Sequence, residues 1–472
     1  MKGVGPLHFR AASLILSTLI IVVGVAVADA EPATTTTEPM TVFEDLSADA
    51  LFAYEVAWLA DTGITKGCNP AEGNTKFCPH DYVTRGQMAA FLHRASGSPA
   101  PWLRTVLWSI EGSAVDVNSE GEVLIRVYGD GTGDTRDAAI WDPEANTLMH
   151  LSDLGVDGAW AFDLSDSGYT TGWAQDGDLV KAFLWLPSAG EITWAARSDG
   201  LWTRGEAVNE LGQIAGNSGD SVAFAWTPGD TDATLLDTPP GLRSGAYDIN
   251  DGGTVIGTIS DNSTFGKAVT WDAETGAATD VPFAPAIGRS GGAQINNSGE
   301  TVGSCLVDGR WGLFAWTIGD PMAEVLSLSD LLSHIPNAVP NDLGGLELSG
   351  LNERGEVLGQ VEYNVKGSTS VQFRLFVWNT RTSEVALSAP SAGYTNESLA
   401  DDGMVAATDF HGNGPFLWNP STDAAVILAE VPELDGTSTR VVGDAGLVVG
   451  GAHTTAGGGI THRVVIWTPA VA

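Results

Sequence analysis

The chain has 472 residues and a formal net charge of −37, from 59 Asp and Glu against 22 Lys and Arg. A field of that sign repels polyanions, so nucleic acid and anionic lipid are poor partners. Fifty-eight Gly and 16 Trp beside 6 Met point to many turns and a repeated packing element.

In chain order, Lys2 and Arg10 precede an apolar run from Leu14 to Ala28, followed by Ala28-Asp29-Ala30. This pattern predicts a signal peptide over 1–30 and therefore an exported protein. An uncleaved anchor is the alternative, but the run is shorter than the ~20 residues a span needs. No later segment is apolar enough to cross a membrane, so no membrane is expected as a partner after cleavage. Residues 31–40 hold four consecutive Thr and two Pro and predict a flexible linker.

Residues 41–97 predict a small helical module. Leu51, Tyr54, Trp58 and Leu59 recur at helical spacing, and Gly63 ends that helix. Thr84 and Gln87 fit a capping box that starts a second helix, whose apolar face is Met88, Phe91 and Leu92. Cys68 and Cys78 are the natural disulfide pair in an oxidising compartment. With only His80 nearby they make a poor zinc set. The elements Phe43-Glu44-Asp45-Leu46, AWLADTGITKGC, Phe77-Cys78-Pro79 and VTRGQMAAFLHRA resemble an S-layer homology (SLH) domain. The resemblance implies attachment to an anionic polysaccharide of the bacterial cell wall, with Thr84 and Arg85 at the binding groove. An Arg at a helix N-terminus suits an anion. Such domains usually come as three tandem copies, and this chain has one.

From residue 101 to 472 one element recurs eight times. Its copies turn at Gly121, Gly168, Gly212, Gly253, Gly299, Gly355, Gly403 and Gly446, 41 to 56 residues apart. Each is followed by an apolar strand with a Trp, namely Trp141, Trp185, Trp226, Trp271, Trp316, Trp378, Trp418 and Trp467. In the copy AYDINDGGTVIG, Asn250 to Gly253 forms a hairpin turn, Val255 and Ile256 belong to a core strand, and Gly257 admits a close neighbour. Four short strands at this period predict a β-propeller. The last copy lacks a fourth strand, and the unassigned strand Thr105 to Ile110 is placed to supply it and close the ring. The fold expected is thus mainly β, a propeller of eight four-stranded blades preceded by the helical module. Seven blades would result if the divergent copy near Gly403 or Gly446 is incomplete. These units resemble the HAF repeats of bacterial extracellular proteins, which implies export and no particular reaction.

Chemistry is harder to find. Asp116, Asn118 and Glu120 resemble the start of a calcium loop, but the later bidentate acid is missing and other copies lack the set, so a structural turn is preferred. The acidic run 129–137 is a second, looser calcium candidate. No cofactor is expected beyond that. The His residues form no metal or triad pattern, and no nucleophile elbow or phosphate loop occurs. Cys305 should be a buried unpaired thiol. The insertion between Trp316 and Gly355 is either a binding loop or a short helix covering a blade edge. The function expected is a secreted, cell-wall-associated protein that is not an enzyme. Its SLH module would bind wall polysaccharide, and its propeller would be a binding or scaffold surface for an unidentified extracellular ligand. The alternatives are an extracellular carbohydrate-active enzyme and a structural surface-layer component.

Overall fold

The computed structural model describes residues 76–77, 102–128, 136–156, 158–261, 266–283, 289–341, 345–368, 370–409, 414–431, 434–443, 446–455 and 460–469. The expected signal peptide, the linker, both helices of the SLH-like module, Thr84, Arg85 and the Cys68–Cys78 pair lie outside the described residues, as does most of the run 129–137. The chain divides into two compact units, Met1–Ser98 and Pro99–Ala472.

The second unit is an eight-bladed β-propeller. Eight antiparallel sheets succeed one another along the chain, spanning 112–150, 160–195, 203–235, 243–280, 290–326, 338–387, 394–427 and 436–469. The copies near Gly403 and Gly446 are both full blades. Within six of the sheets the strands pair in sequence order as a simple meander; the sixth and eighth depart from it. The inner strand of each blade, the first in every blade but blade 6, where it is Leu346–Leu351, touches the inner strands of both neighbours, and Gly436–Val442 of the last blade touches Gly112–Val117 of the first. These eight strands therefore surround the axis.

The ring is latched by β1, Trp102–Leu107. It pairs antiparallel with the third strand of blade 8, Thr461–Pro469, from Trp102 opposite Pro469 to Leu107 opposite Val464. The last blade thus draws its outer strand from the start of the unit, as the unassigned strand in the sequence implied. The strand begins three residues earlier than expected, and Trp108 is left exposed.

Each recurrent residue has a packing role. The eight turn glycines all have φ between 71° and 83°, a region open to Gly at no steric cost. Seven of the eight repeat Trp side chains are buried, and Trp141 is half-buried. Trp271 shows the pattern: it packs with Ala246, Val255 and Val269 of its own blade against Ala207, Ala215 and Ala225 of the preceding one. Large ring against small methyls fills the wedge between blades without strain. Its indole N–H donates to the Asp237 carbonyl at 3.0 Å. Cys305 is buried and unpaired, and burial pushes its thiol up to about 12.

The insertion forms the short helix α1, Leu328–Leu332, capped by Ser327 and Asp330, and an additional strand, Ala338–Pro340. Leu328, Leu331 and Leu332 pack with Tyr363 and Leu346. The helix therefore covers the edge between blades 5 and 6. The additional strand has no counterpart in the repeat pattern. It continues the inner strand Leu346–Leu351 along Glu356–Val365, and blade 6 has five strands as a result.

Candidate functional site

Every inner strand carries a β-bulge just before its turn, in all eight blades. A bulge re-aims side chains. Here it turns the acidic residues of the turn toward the next blade. Asp116 accepts from Leu164 N at 3.2 Å, Asp163 from Val208 N at 2.7 Å and Asp248 from Ile295 N at 2.9 Å. One residue past the Asn, a second chain of bonds runs the same way. Ser119 N donates to Asp166, Asp166 N to Glu210, Glu210 N to Asp251, Asp251 N to Asn297, Asn297 N to Glu353 and Glu353 N to Asp401, all within 3.0 Å. The Asn itself bonds twice: Asn250 Oδ1 accepts from Thr254 N, closing its own turn, and its Nδ2 donates to the Asn296 carbonyl of the next blade. Many of the acids in the repeats are staples between blades.

This accounts for the calcium-loop resemblance. Asp116 is held by the amides of Val117 and Leu164, and Asn118 by Glu122 on both its side-chain atoms. Asp116 faces a hollow of about 300 Å³ on the axis, bordered by Asp166, Glu353 and Asp401. Glu120 instead faces a separate hollow between blades 1 and 2, with Glu122, Asp142 and Glu144. The three residues are not brought together, and among the described residues no group of three acids, His or Cys is arranged to hold a metal.

The axial carboxyls are unusual in charge state. Burial among eight inner strands pushes Asp248 up to about 7, with Glu353 adding repulsion. Burial likewise raises Asp116 and Asp163, with repulsion from Asp163 adding at Asp116 and from Asp248 at Asp163. Asp116 and Asp163 are both buried and act on each other's ionisation, so they titrate as a pair. A carboxyl raised on folding stabilises the fold fully below its unfolded pKa, near 4, and that contribution is lost as pH rises through its folded value. The propeller should therefore melt several degrees lower at pH 8 than at pH 5, a window in which ordinary carboxylates no longer titrate. Asp163→Asn should flatten that slope in a calorimetric pH series, because its amide oxygen can keep the Val208 N–H while one of the two buried titrating carboxyls is removed. An unchanged slope would remove the pair as its cause.

The opposite mouth differs in kind. It lies at the far end of the inner strands, where Ser113 pairs with Arg126, and not near the turn, where Val117 pairs with Val123. At this level blade 1 supplies Arg126, blade 2 the pair Trp160–Trp173 and blade 3 Arg204 with Asn217. Blades 4 and 5 supply Gly245, Thr258, Gly291 and Ser304 at the same places. The small residues leave a hollow of about 750 Å³, bordered by Tyr247, Trp311 and Glu347. One side of the ring is thus crowded with Arg and aromatic groups, and the other is open. The Arg126 guanidinium lies 4.2 Å from the Trp160 ring centre and 5.4 Å from that of Phe162, and the Arg204 guanidinium lies 4.3 Å from Phe162. The sequence pattern marks none of these residues. They occupy the columns where the repeats differ, whereas the repeat pattern is carried by columns where they agree.

No protein-family model matches the sequence, and no curated protein is significantly similar to it. Among solved structures the chain is similar to the Dos1 propeller, at 12% identity and TM-score 0.45, over 79% of this chain and 95% of that one. It is similar to an oligogalacturonate lyase in complex with manganese at 11% identity and TM-score 0.40, over 79% and 98% of the two chains. A chain from a study of two prolyl endopeptidases aligns at 11% identity and TM-score 0.41 over 66% of this chain, which spans about half (47%) of that one.

Proposed function

We propose that this is an exported, cell-wall-associated protein whose N-terminal module holds wall polysaccharide through Thr84 and Arg85 and whose propeller is a binding and scaffold surface. One observation supports a binding role for the propeller above all: the two mouths of its axis are built differently. The acids of the turn mouth are engaged in holding blades together, while the other mouth combines aromatic faces, guanidinium groups and an open hollow of about 750 Å³, a size suited to a ligand of several rings. The preference for binding over catalysis rests on the engagement of the raised carboxyls Asp116, Asp163 and Asp248 with main-chain amides.

Co-sedimentation with isolated sacculi tests the anchoring half. Residues 31–472 should pellet, a chain lacking 41–97 should stay in solution, and Arg85→Ala should bind roughly tenfold more weakly, the loss expected for one charge-assisted contact. Equal pelleting of all three, or of none, refutes anchoring through this module.

A further inference from the structure

Arg126 stands out among the cations of the propeller. Its chain carries 59 Asp and Glu, yet Arg126 has no carboxylate partner among the described residues. Its one hydrogen bond runs from Nη2 to the Ala161 carbonyl at 2.7 Å, and its Nε is buried with no acceptor. A buried N–H without an acceptor is costly, and native structures keep few. The neighbours add to the cost. Burial draws Arg126 down to about 10, opposed by Tyr128 and reinforced by repulsion from Arg440 and Arg204. Glu206 relieves only Arg204, which it pairs at 2.9 Å while also accepting from Asn217. Arg440 is exposed and is the bulged residue of the blade 8 inner strand, the place held by Phe162, Glu206 and Tyr247 in blades 2 to 4, which face Arg126, Arg204 and the open hollow; it has no ion pair among the described residues. Stacking on Trp160 and Phe162 compensates part of the charge but uses only the flat faces of the guanidinium. The Nε–H stays unmet.

We propose that Arg126, with Arg440, anchors an oxyanion-binding site at the mouth of the axis opposite the turns. The planar fork of a guanidinium matches the spacing of two oxygens on a carboxylate, sulfate or phosphate. The rings of Trp160 and Phe162 fix its orientation, and the second, exposed guanidinium balances the remaining charge. The oxyanion is either free in solution or the acidic group of a larger molecule. This inference rests on the propeller being a binding surface and is independent of wall anchoring.

The test is isothermal titration of the full exported chain at fixed ionic strength with three probes: sodium sulfate, sodium glucuronate and glucose. Saturable binding of sulfate, glucuronate or both, with none of glucose, is expected. A response to glucuronate alone assigns the site to a carboxylate on an organic ligand, and a response to sulfate alone assigns it to a tetrahedral oxyanion. Arg126→Met should weaken binding at least tenfold, and Arg126→Lys, which keeps the charge but not the fork, should fall between. Arg440→Ala, at an exposed position that tolerates truncation, should weaken it severalfold even if Arg126 variants fold poorly. Heat that is absent for both anions, or unchanged in Arg440→Ala and Arg126→Met, overturns the proposal. Because sacculus binding is read separately, loss of one result leaves the other standing.

Discussion

A chain that starts at Trp108 is expected to lose much of the stability of one that starts at Pro99, although the two differ by nine residues. The six residues of β1 are the whole outer strand of blade 8. Without them, Thr461–Pro469 becomes an open edge directly beside the fully buried Val464, Val465, Ile466 and Trp467. Ladder hydrogen bonds contribute about 1 kcal/mol each. Half-buried Trp102 and Val106 also leave the cluster around Trp467, so the loss is on the order of 5 kcal/mol. An unpaired apolar edge also recruits other chains. The shortened chain should melt at a clearly lower temperature and associate with rising concentration in sedimentation velocity. A synthetic peptide of residues 99–110, added in excess, should restore both properties by pairing in trans. A shortened chain that stays monomeric with an unchanged Tm would mean that closure comes from the contacts of the inner strands alone.

The latch was legible because it leaves a gap in a count: the eighth repeat stops one strand short, and one unassigned strand precedes the first. The blade number, the turn glycines and the buried Trp column were legible for the same reason, since eight copies on one chain act as their own alignment. The site was not. Arg126, Trp160, Arg204 and Tyr247 stand in columns that vary from blade to blade, and variation in a repeat reads as noise until the ring shows that those columns share one mouth. The acids misled in the opposite sense. Asp116, Asn118 and Glu120 look like a ligand set along the chain, but the bulge sends Asp116 to Leu164 of the next blade, and no spacing within one repeat reveals a partner 48 residues away. The additional strand Ala338–Pro340 was hidden because three residues ending in a Pro carry no period at all.

The Val-x-Gly column yields the second large effect. Gly257→Ala should destabilise the propeller by about 3 kcal/mol, since a methyl there must displace main chain and not a movable side chain. A Cβ on Gly257 would stand 2.0 Å from the Gly245 carbonyl oxygen and 2.9 Å from the Trp271 ring. The same clash with the inner-strand carbonyl recurs at Gly172, Gly216, Gly303, Gly359 and Gly450, at 2.0 to 2.4 Å. Gly257 has an ordinary extended backbone, so the penalty is steric and is offset only by the ~0.4–1 kcal/mol that Ala gains by restricting the unfolded chain. Blade 7 supplies the control. Its residue in this column is Ala407, and there the inner strand skips two residues between Thr395 and Ser398 where blade 4 skips one between Ala246 and Asp248. The methyl of Ala407 is fully buried. Ala407→Gly should therefore cost about 1 kcal/mol, the ordinary loss of one small buried group and gain in unfolded-chain freedom. Urea unfolding of both variants at pH 6 separates the cases. If Gly257→Ala proves as mild as Ala407→Gly, the inner strands can slide apart freely, and the close approach of strands, with the tight ring it produces, is not what selects glycine at this position.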